Sequence, residues 1–502
     1  MKIFTAQPDS TTNPNVLIAT ASDLSRLLQD GKASSVQLVD LYLSQIEGHN
    51  HRGLKLNAMI STAPKKILLD IARYLDNERA AGHIRGPLHG ISVTVKGNIC
   101  TDVSLGMDTT CGSYALVGSV PQHNAPIVNH VGEVLAPSVE RRAKMSSSFK
   151  REMSGWKGFG ITTGWSAAPA GSSSGSASGV AAGFASLAIA TETDGSITQP
   201  ANRAALFGIK VTVGRASTEG TAPWSALTGS VGSMAKSAQD FAYLVDVILG
   251  TNTTPTLNTS WKGQTVGFVD DILWGFSEFI CTPDPVLITQ REAYMDTKRE
   301  LIEHGATLHE KVPLTSIDEL QLDGDDALDQ LCNHDYAKAW EKFLKNFPSS
   351  SMKSIADVVK FNKLNAKVTL PAEHPGQQLL ESALEDKMPE EKYAEGVSLI
   401  REAAKTNGID KTIHQFGPDV IVGPMDGRIP TIAAAAGCPV GTVPLGYSQT
   451  NGRPFGLAVV ALANEEHKIL QFMTAWDEFT PSHLPPPQLM DWNSPEYSNI
   501  LA

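Results

Sequence analysis

Gly171-Ser172-Ser173-Ser174-Gly175-Ser176, the Ala-rich turns from Ala177 to Ser186, the apolar run Leu187-Ala188-Ile189-Ala190 and Thr191-Glu192-Thr193-Asp194-Gly195-Ser196-Ile197 follow one another almost without a break. They sit inside a stretch from about Gly155 to Gly232 dominated by Gly, Ala, Ser and Thr. Composition of that kind describes a flexible linker as well as a core. Two features favour a core. The stretch holds a helical pattern and then a short apolar strand, and small side chains let backbones approach closely, as a buried site requires.

Outward from this centre, strand and helix patterns alternate. Upstream, the β-branched run Ile91-Ser92-Val93-Thr94-Val95 reads as a strand that delivers Lys96. Before it come two amphipathic helices, one carrying Leu24, Leu27 and Leu28, the other Val39, Leu43 and Ile46, entered through Ser34-Ser35, with Gly31 between them. Downstream, Gly263 to Val269 reads as a strand. Asp284-Pro285 starts a helix running to His304-Gly305, and Ala306-Thr307-Leu308 returns as a strand. Val420-Ile421-Val422 repeats the strand signal. Val443-Pro444-Leu445-Gly446 and Phe455 to Val460 flank Asn451-Gly452, a hairpin signal. The region from about Leu314 to Asp410 is charged and helical in pattern, and Pro485-Pro486-Pro487 reads as loop. Interleaved strands and helices predict an α/β architecture.

Composition narrows the function. The 502 residues are 41% hydrophobic, enough for a large core. With 41 Lys+Arg against 53 Asp+Glu the formal net charge is −12, so no basic surplus exists to neutralise a phosphate backbone or an anionic membrane. Neither nucleic acid nor membrane is an expected partner. Cys100, Cys111, Cys281, Cys332 and Cys438 are odd in number and contain no CxxC pair, which argues against a disulfide framework and a zinc ribbon. Thirteen histidines show no HExxH spacing. A cytoplasmic protein without metal or cofactor is expected.

Three motifs fall in order: Gly86-Pro87-Leu88-His89-Gly90-Ile91-Ser92-Val93-Thr94-Val95-Lys96, then Gly171 to Ser176, then Thr191 to Ile197. Together they resemble the amidase-signature family, which includes fatty acid amide hydrolase and the A subunit of glutamyl-tRNA amidotransferase. The separation 196 − 172 = 24 matches that family's spacing of bridging serine and nucleophile. Pro200-Ala201, Gly208-Ile209-Lys210 and Ala433 to Pro439 agree as well, so the resemblance spans nearly the whole chain. It implies a large, mixed, mostly parallel twisted β-sheet covered by helices on both faces, as one domain over 1–502. Within it lie N-terminal helices at about 18–80, the signature core at about 86–250, a variable helical region at about 310–410 and completion of the sheet at about 418–480.

The resemblance also implies the chemistry: a serine hydrolase cleaving a small-molecule amide, with Ser196 as nucleophile and Lys96 exchanging its proton through Ser172 on a cis peptide bond. Ser173 supports that network, and the backbone N–H groups of Thr193, Asp194, Gly195 and Ser196 form the oxyanion hole. These residue types suit those roles. A serine hydroxyl is a poor nucleophile until a neighbour takes its proton, and lysine does so only as a neutral amine. Free lysine titrates near 10.4, so action near neutral pH needs a drop of roughly 3 units, about 4 kcal/mol of desolvation or charge repulsion. The expected partner is a small amide or ester, and a homodimer is compatible with the reading.

Three departures from the family pattern stand out: Gly97 where Asp commonly follows the lysine, Asp194 where Gly is common, and an apparent insertion over Pro137 to Glu152. They keep open an amidase-like scaffold that binds without turnover. An acyltransferase using the same acyl-enzyme is a further alternative. Gly171 to Gly175 also matches GxSxG, which would make Ser173 the nucleophile with a later histidine such as His414 as base. That motif must follow a strand, and Ser166 to Ala170 reads as loop. Ser147 to Lys150 and Ser350 to Lys353 match SxxK, a pattern too short to carry weight. His89 reads as a turn histidine bonded to backbone.

Overall fold

The computed structural model describes residues 13–130, 138–139, 170–222, 224–275, 286–372, 375–448, 453–478 and 483–489. The expectations placed on Pro137 to Glu152 (Ser138 and Val139 apart), on the SxxK match at Ser147 to Lys150, on Ser166 to Pro169, on Cys281, on Asp284-Pro285 and on the Asn451-Gly452 turn lie outside these residues.

The strands, in chain order, are β1 (Val93–Lys96), β2 (Ser138–Val139), β3 (Leu187–Glu192), β4 (Phe207–Lys210), β5 (Ser230–Ala235), β6 (Thr265–Phe268), β7 (Thr307–Glu310), the short ribbon β8 (Gln321–Leu322) and β9 (Asp325–Asp326), then β10 (Val420–Pro424), β11 (Val440–Tyr447) and β12 (Pro454–Val460). Ten of them form one sheet in the order β2-β1-β3-β5-β4-β11-β12-β10-β6-β7. This is the mixed α/β sheet expected. Parallel pairing fills the two flanks, β2-β1-β3 and β10-β6-β7. The central pairings from β3 through β10 are antiparallel, a share larger than the sequence reading implies. Its cause is local: β11 and β12 form the hairpin announced around Asn451-Gly452, and β5 inserts between β3 and β4.

Side chains alternate strictly between two cores, as a two-faced sheet demands. Leu187 and Ile189 of β3, Phe207 and Ile209 of β4, and Val420 and Val422 of β10 enter one core, with helices Ala238–Leu249 and Glu466–Trp476 and the N-terminal helices. Ala188 and Ala190 face helices Ser174–Ala181 and Thr198–Asn202, while Ile421, Ala458 and Val460 face helix Ile429–Ala436. Ala188 and Ala190 are small, so the helices facing them lie close to the strand. In its described part the Gly/Ala/Ser stretch is core: helix Ser174–Ala181 is buried at every position.

The N-terminal helices are Ala21–Gln29, Ser35–His49 and Lys65–Ala80, the second capped by Ser34. The 310–410 region is helical as expected, in Ala327–Leu344, Ile355–Leu364, Gln378–Glu385 and Glu390–Arg401. The last runs into π-helical turns over Glu402–Asp410. Among the described residues no helix is long and apolar enough to cross a membrane.

Close approach of β4 and β5 depends on Gly232, where a Cβ would lie 1.8 Å from the Ile209 carbonyl oxygen. Gly232→Ala is expected to destabilise the protein by about 3 kcal/mol or more through forced separation of the two strands, read as a lowered midpoint in urea unfolding.

Candidate active site

β1 ends on Lys96 and runs parallel to β3, so the lysine emerges beside Thr191 at the end of that neighbour. Lys96 is 3% exposed. Its Nζ donates to Ser172 Oγ at 2.7 Å and to the Thr191 carbonyl at 3.3 Å. Ser172 follows a cis peptide bond from Gly171, and Ser173 stands at the N-cap of helix Ser174–Ala181. Ser173 Oγ donates to the same Thr191 carbonyl at 3.2 Å, and its N–H donates to the Ser196 carbonyl at 3.0 Å. Lys96, Ser172, Ser173 and the loop carrying Ser196 are thus tied through the end of β3. Ser173 is buried, Ser196 half-buried and Ser172 exposed.

The loop Thr193 to Ser196 is bent at Gly195, whose φ of +72° suits glycine. Two anchors hold it, one buried and one half-buried. Glu192 Oε2 accepts from the N–H groups of Ile197 at 2.6 Å and Thr198 at 2.8 Å, capping helix Thr198–Asn202 from five residues upstream. Gln199 N–H donates to the Gly195 carbonyl at 2.9 Å, and Gln199 Nε2 reaches the Met425 carbonyl at 2.8 Å. Among the described residues, the N–H groups of Thr193, Asp194, Gly195 and Ser196 donate no backbone hydrogen bond.

Asp194 does not leave a free carboxylate beside Ser196. Thr431, in the first turn of helix Ile429–Ala436, donates its hydroxyl to Asp194 Oδ2 at 2.9 Å. Burial pushes the Asp194 carboxyl up to about 6 against the effect of that hydrogen bond. Below the loop, Lys210 is fully buried at the end of β4, with Nζ 3.4 Å from the Ala433 carbonyl. Burial lowers its pKa, opposed mainly by the negative charge of Glu192.

The sequence reading assigns no role to Glu192, Thr431, Asn98 or Gln199. Glu192 alone had a signal there: a carboxylate in a run of small residues implies a buried partner. Asn98 Nδ2 donates to Thr191 Oγ1 at 2.9 Å and to the Ala222 carbonyl at 3.2 Å. At Gly97 the carbonyl accepts from Cys111 N–H at 3.1 Å. His89 is the turn histidine expected, its Nδ1 accepting from Arg85 N–H and its Nε2 donating to the Leu75 carbonyl. His414 is exposed on helix Lys411–Phe416 while Ser173 is buried, so a Ser173–His414 pair finds no support. Ser350 and Lys353 make local turn contacts with Met352 N–H and the Pro348 carbonyl. No cluster of three or more His, Cys, Asp or Glu side chains suited to a metal occurs among the described residues.

Comparison with known proteins agrees with this frame. The amidase family model matches residues 37–470. A protein of Arabidopsis thaliana named as a probable amidase is 29% identical over 492 residues, covering 93% of this chain and 91% of that one. The A subunit of glutamyl-tRNA(Gln) amidotransferase from Natranaerobius thermophilus is 26% identical, covering 90% of this chain and 94% of its own. The crystal structure of the peptide amidase from Stenotrophomonas maltophilia superposes with a TM-score of 0.78 at 28% identity, covering 93% of this chain and 98% of that one. Fold and relatives define a hydrolase of carbon–nitrogen bonds. The chain belongs to the amidase family.

Asp194 yields a pH test. Its folded carboxyl titrates near 6 against 3.8 for the free group, so the folded state holds the extra proton between those values and loses stability as pH rises through them. At pH 7 this costs about 1–3 kcal/mol, allowing for screening at its half-buried surface. Asp194→Asn, which keeps an acceptor for Thr431, is expected to gain on the parent by that amount between pH 4 and 7. Chemical unfolding at several pH values reads the difference, and a pH-independent difference refutes the assignment.

Proposed function

We propose that the protein hydrolyses a carboxylic amide of a small molecule through an acyl intermediate on Ser196. The observation that carries this reading is the 2.7 Å contact between the buried Lys96 amine and Ser172 Oγ, on a turn bonded to the Ser196 carbonyl. With the amine neutral, the hydrogen bond runs the other way and Ser172 donates to Lys96 Nζ. Ser196 Oγ then passes its proton to Ser172 Oγ as it attacks the amide carbon, and Ser172 passes its own to Lys96. Charge on the former carbonyl oxygen meets the N–H groups between Thr193 and Ser196, donors of a kind worth about 3–4 kcal/mol each at the barrier.

As the tetrahedral adduct collapses, the C–N bond breaks and the proton on Lys96 returns through Ser172 to the leaving nitrogen. Water next attacks the acyl carbon, giving its proton to the same relay, and the carboxylic acid leaves as Ser196 Oγ is reprotonated. Neither half-reaction consumes a redox equivalent. Asp194 is compatible with this scheme because its carboxyl is turned to Thr431 while its backbone N–H serves the oxyanion.

Likeness to a peptide amidase makes peptide amides the first substrates to try, beside aryl amides, primary amides and esters. Ser196→Ala and Lys96→Ala are each expected to lower kcat/KM by about 10³-fold or more. A fluorophosphonate probe should label the parent at Ser196 and leave Ser196→Ala unmodified. Retention of full turnover in Ser196→Ala would exclude the mechanism, and a folded parent that neither labels nor turns over any substrate would favour the binding scaffold.

A further inference from the structure

Arg401 closes helix Glu390–Arg401 in the variable helical region, yet its guanidinium reaches into the signature core. Nη1 donates to the Ala434 carbonyl at 3.1 Å and to that of Ala435, the last turn of helix Ile429–Ala436. Nη2 donates to the carbonyl of Leu227. Gly437 presses against the guanidinium, since a Cβ there would stand 3.2 Å from Arg401 Cζ. A cation at a helix C-terminus meets both the unpaired carbonyls and the negative end of the dipole.

Both ends of this contact lead to the site. The helix it caps carries Thr431, whose hydroxyl holds Asp194 two residues before Ser196. Leu227 belongs to the segment that begins at Ala222, which exchanges hydrogen bonds with Asn98 in both directions. Asn98 in turn holds Thr191, the residue whose carbonyl accepts from Lys96 and Ser173. One guanidinium therefore joins the arm that ends on Ser196 to the arm that ends on Lys96.

We propose that Arg401 is a positioning residue that fixes the nucleophile arm and the lysine arm of the site relative to one another. This rests on the catalytic reading of Lys96, Ser172 and Ser196 given above. A planar fork that bonds two segments at once cannot be matched by a single ammonium, so lysine at this position keeps the cation and loses one of the two ties. Because misplacement by an ångström slows a reaction without abolishing binding, the effect belongs in kcat more than in KM.

The test compares the full-length parent with Arg401→Met, Arg401→Lys and Ser196→Ala on one aryl amide substrate. Thermal unfolding of every variant is followed alongside. Arg401→Met is expected to lose kcat on the order of 10- to 100-fold with little change in KM, while Arg401→Lys falls between it and the parent. Added methylguanidinium should restore part of the activity of Arg401→Met, and ethylammonium should restore less. Parental kcat in Arg401→Met, with Ser196→Ala inactive, overturns this inference alone. Loss of activity that merely tracks loss of folding, with no recovery from lysine or methylguanidinium, also overturns it and leaves Arg401 a structural anchor. Full activity in Ser196→Ala sinks the catalytic reading, and this inference with it.

Discussion

Thr191, one residue before the end of β3, turns its carbonyl oxygen to two donors at once, the Lys96 amine at 3.3 Å and the Ser173 hydroxyl at 3.2 Å, while its own hydroxyl accepts from Asn98. Bringing an amine out of water costs several kcal/mol if it is charged and unpaired. The end of a parallel strand supplies an acceptor at a position set by the sheet ladder and not by a mobile side chain. Everything placed around the site refers to that point: the Ser172 turn above it, the helix behind it and the Glu192 clamp after it.

Charge beneath the Ser196 loop is distributed with similar economy. Glu192 and Asp194 are two carboxylates two residues apart, each committed to a partner, the first to the N–H groups of Ile197 and Thr198, the second to Thr431. Lys210 lies fully buried nearby, where burial lowers its pKa and the Glu192 carboxylate opposes that shift. Removing the Glu192 carboxylate would strand the buried N–H groups of Ile197 and Thr198, which costs more than the bonds themselves contribute. The loop is consequently held by groups that lie outside the proposed proton relay.

Much of this frame was legible in the sequence. The β-branched run Ile91 to Val95 and the apolar run Leu187 to Ala190 specified strands, Ser34 marked a helix start, and the ordered motifs drew Lys96, Ser172 and the Ser196 loop into one neighbourhood. What escaped the reading shares a physical cause. Thr431 meets Asp194 across 237 positions and Arg401 meets Leu227 across 174, and no local periodicity encodes contacts of that range. The antiparallel centre of the sheet was hidden for a related reason: a buried apolar strand has the same composition whichever way it runs. Glu192 lay between these cases, its burial inferable but its partners not.

Helix Ser174–Ala181, which opens beside the two adjacent serines, has no side-chain cap of its own, whereas peripheral helices such as Ala21–Gln29, Ser35–His49 and Ile355–Leu364 each begin with a complete capping box. The periphery can form from nearby residues, but the amine and the hydroxyl that meet at 2.7 Å are 76 positions apart. Closing a loop of that length costs more conformational entropy than closing a helical turn, so the meeting of amine and hydroxyl belongs to the assembled sheet and to no local segment.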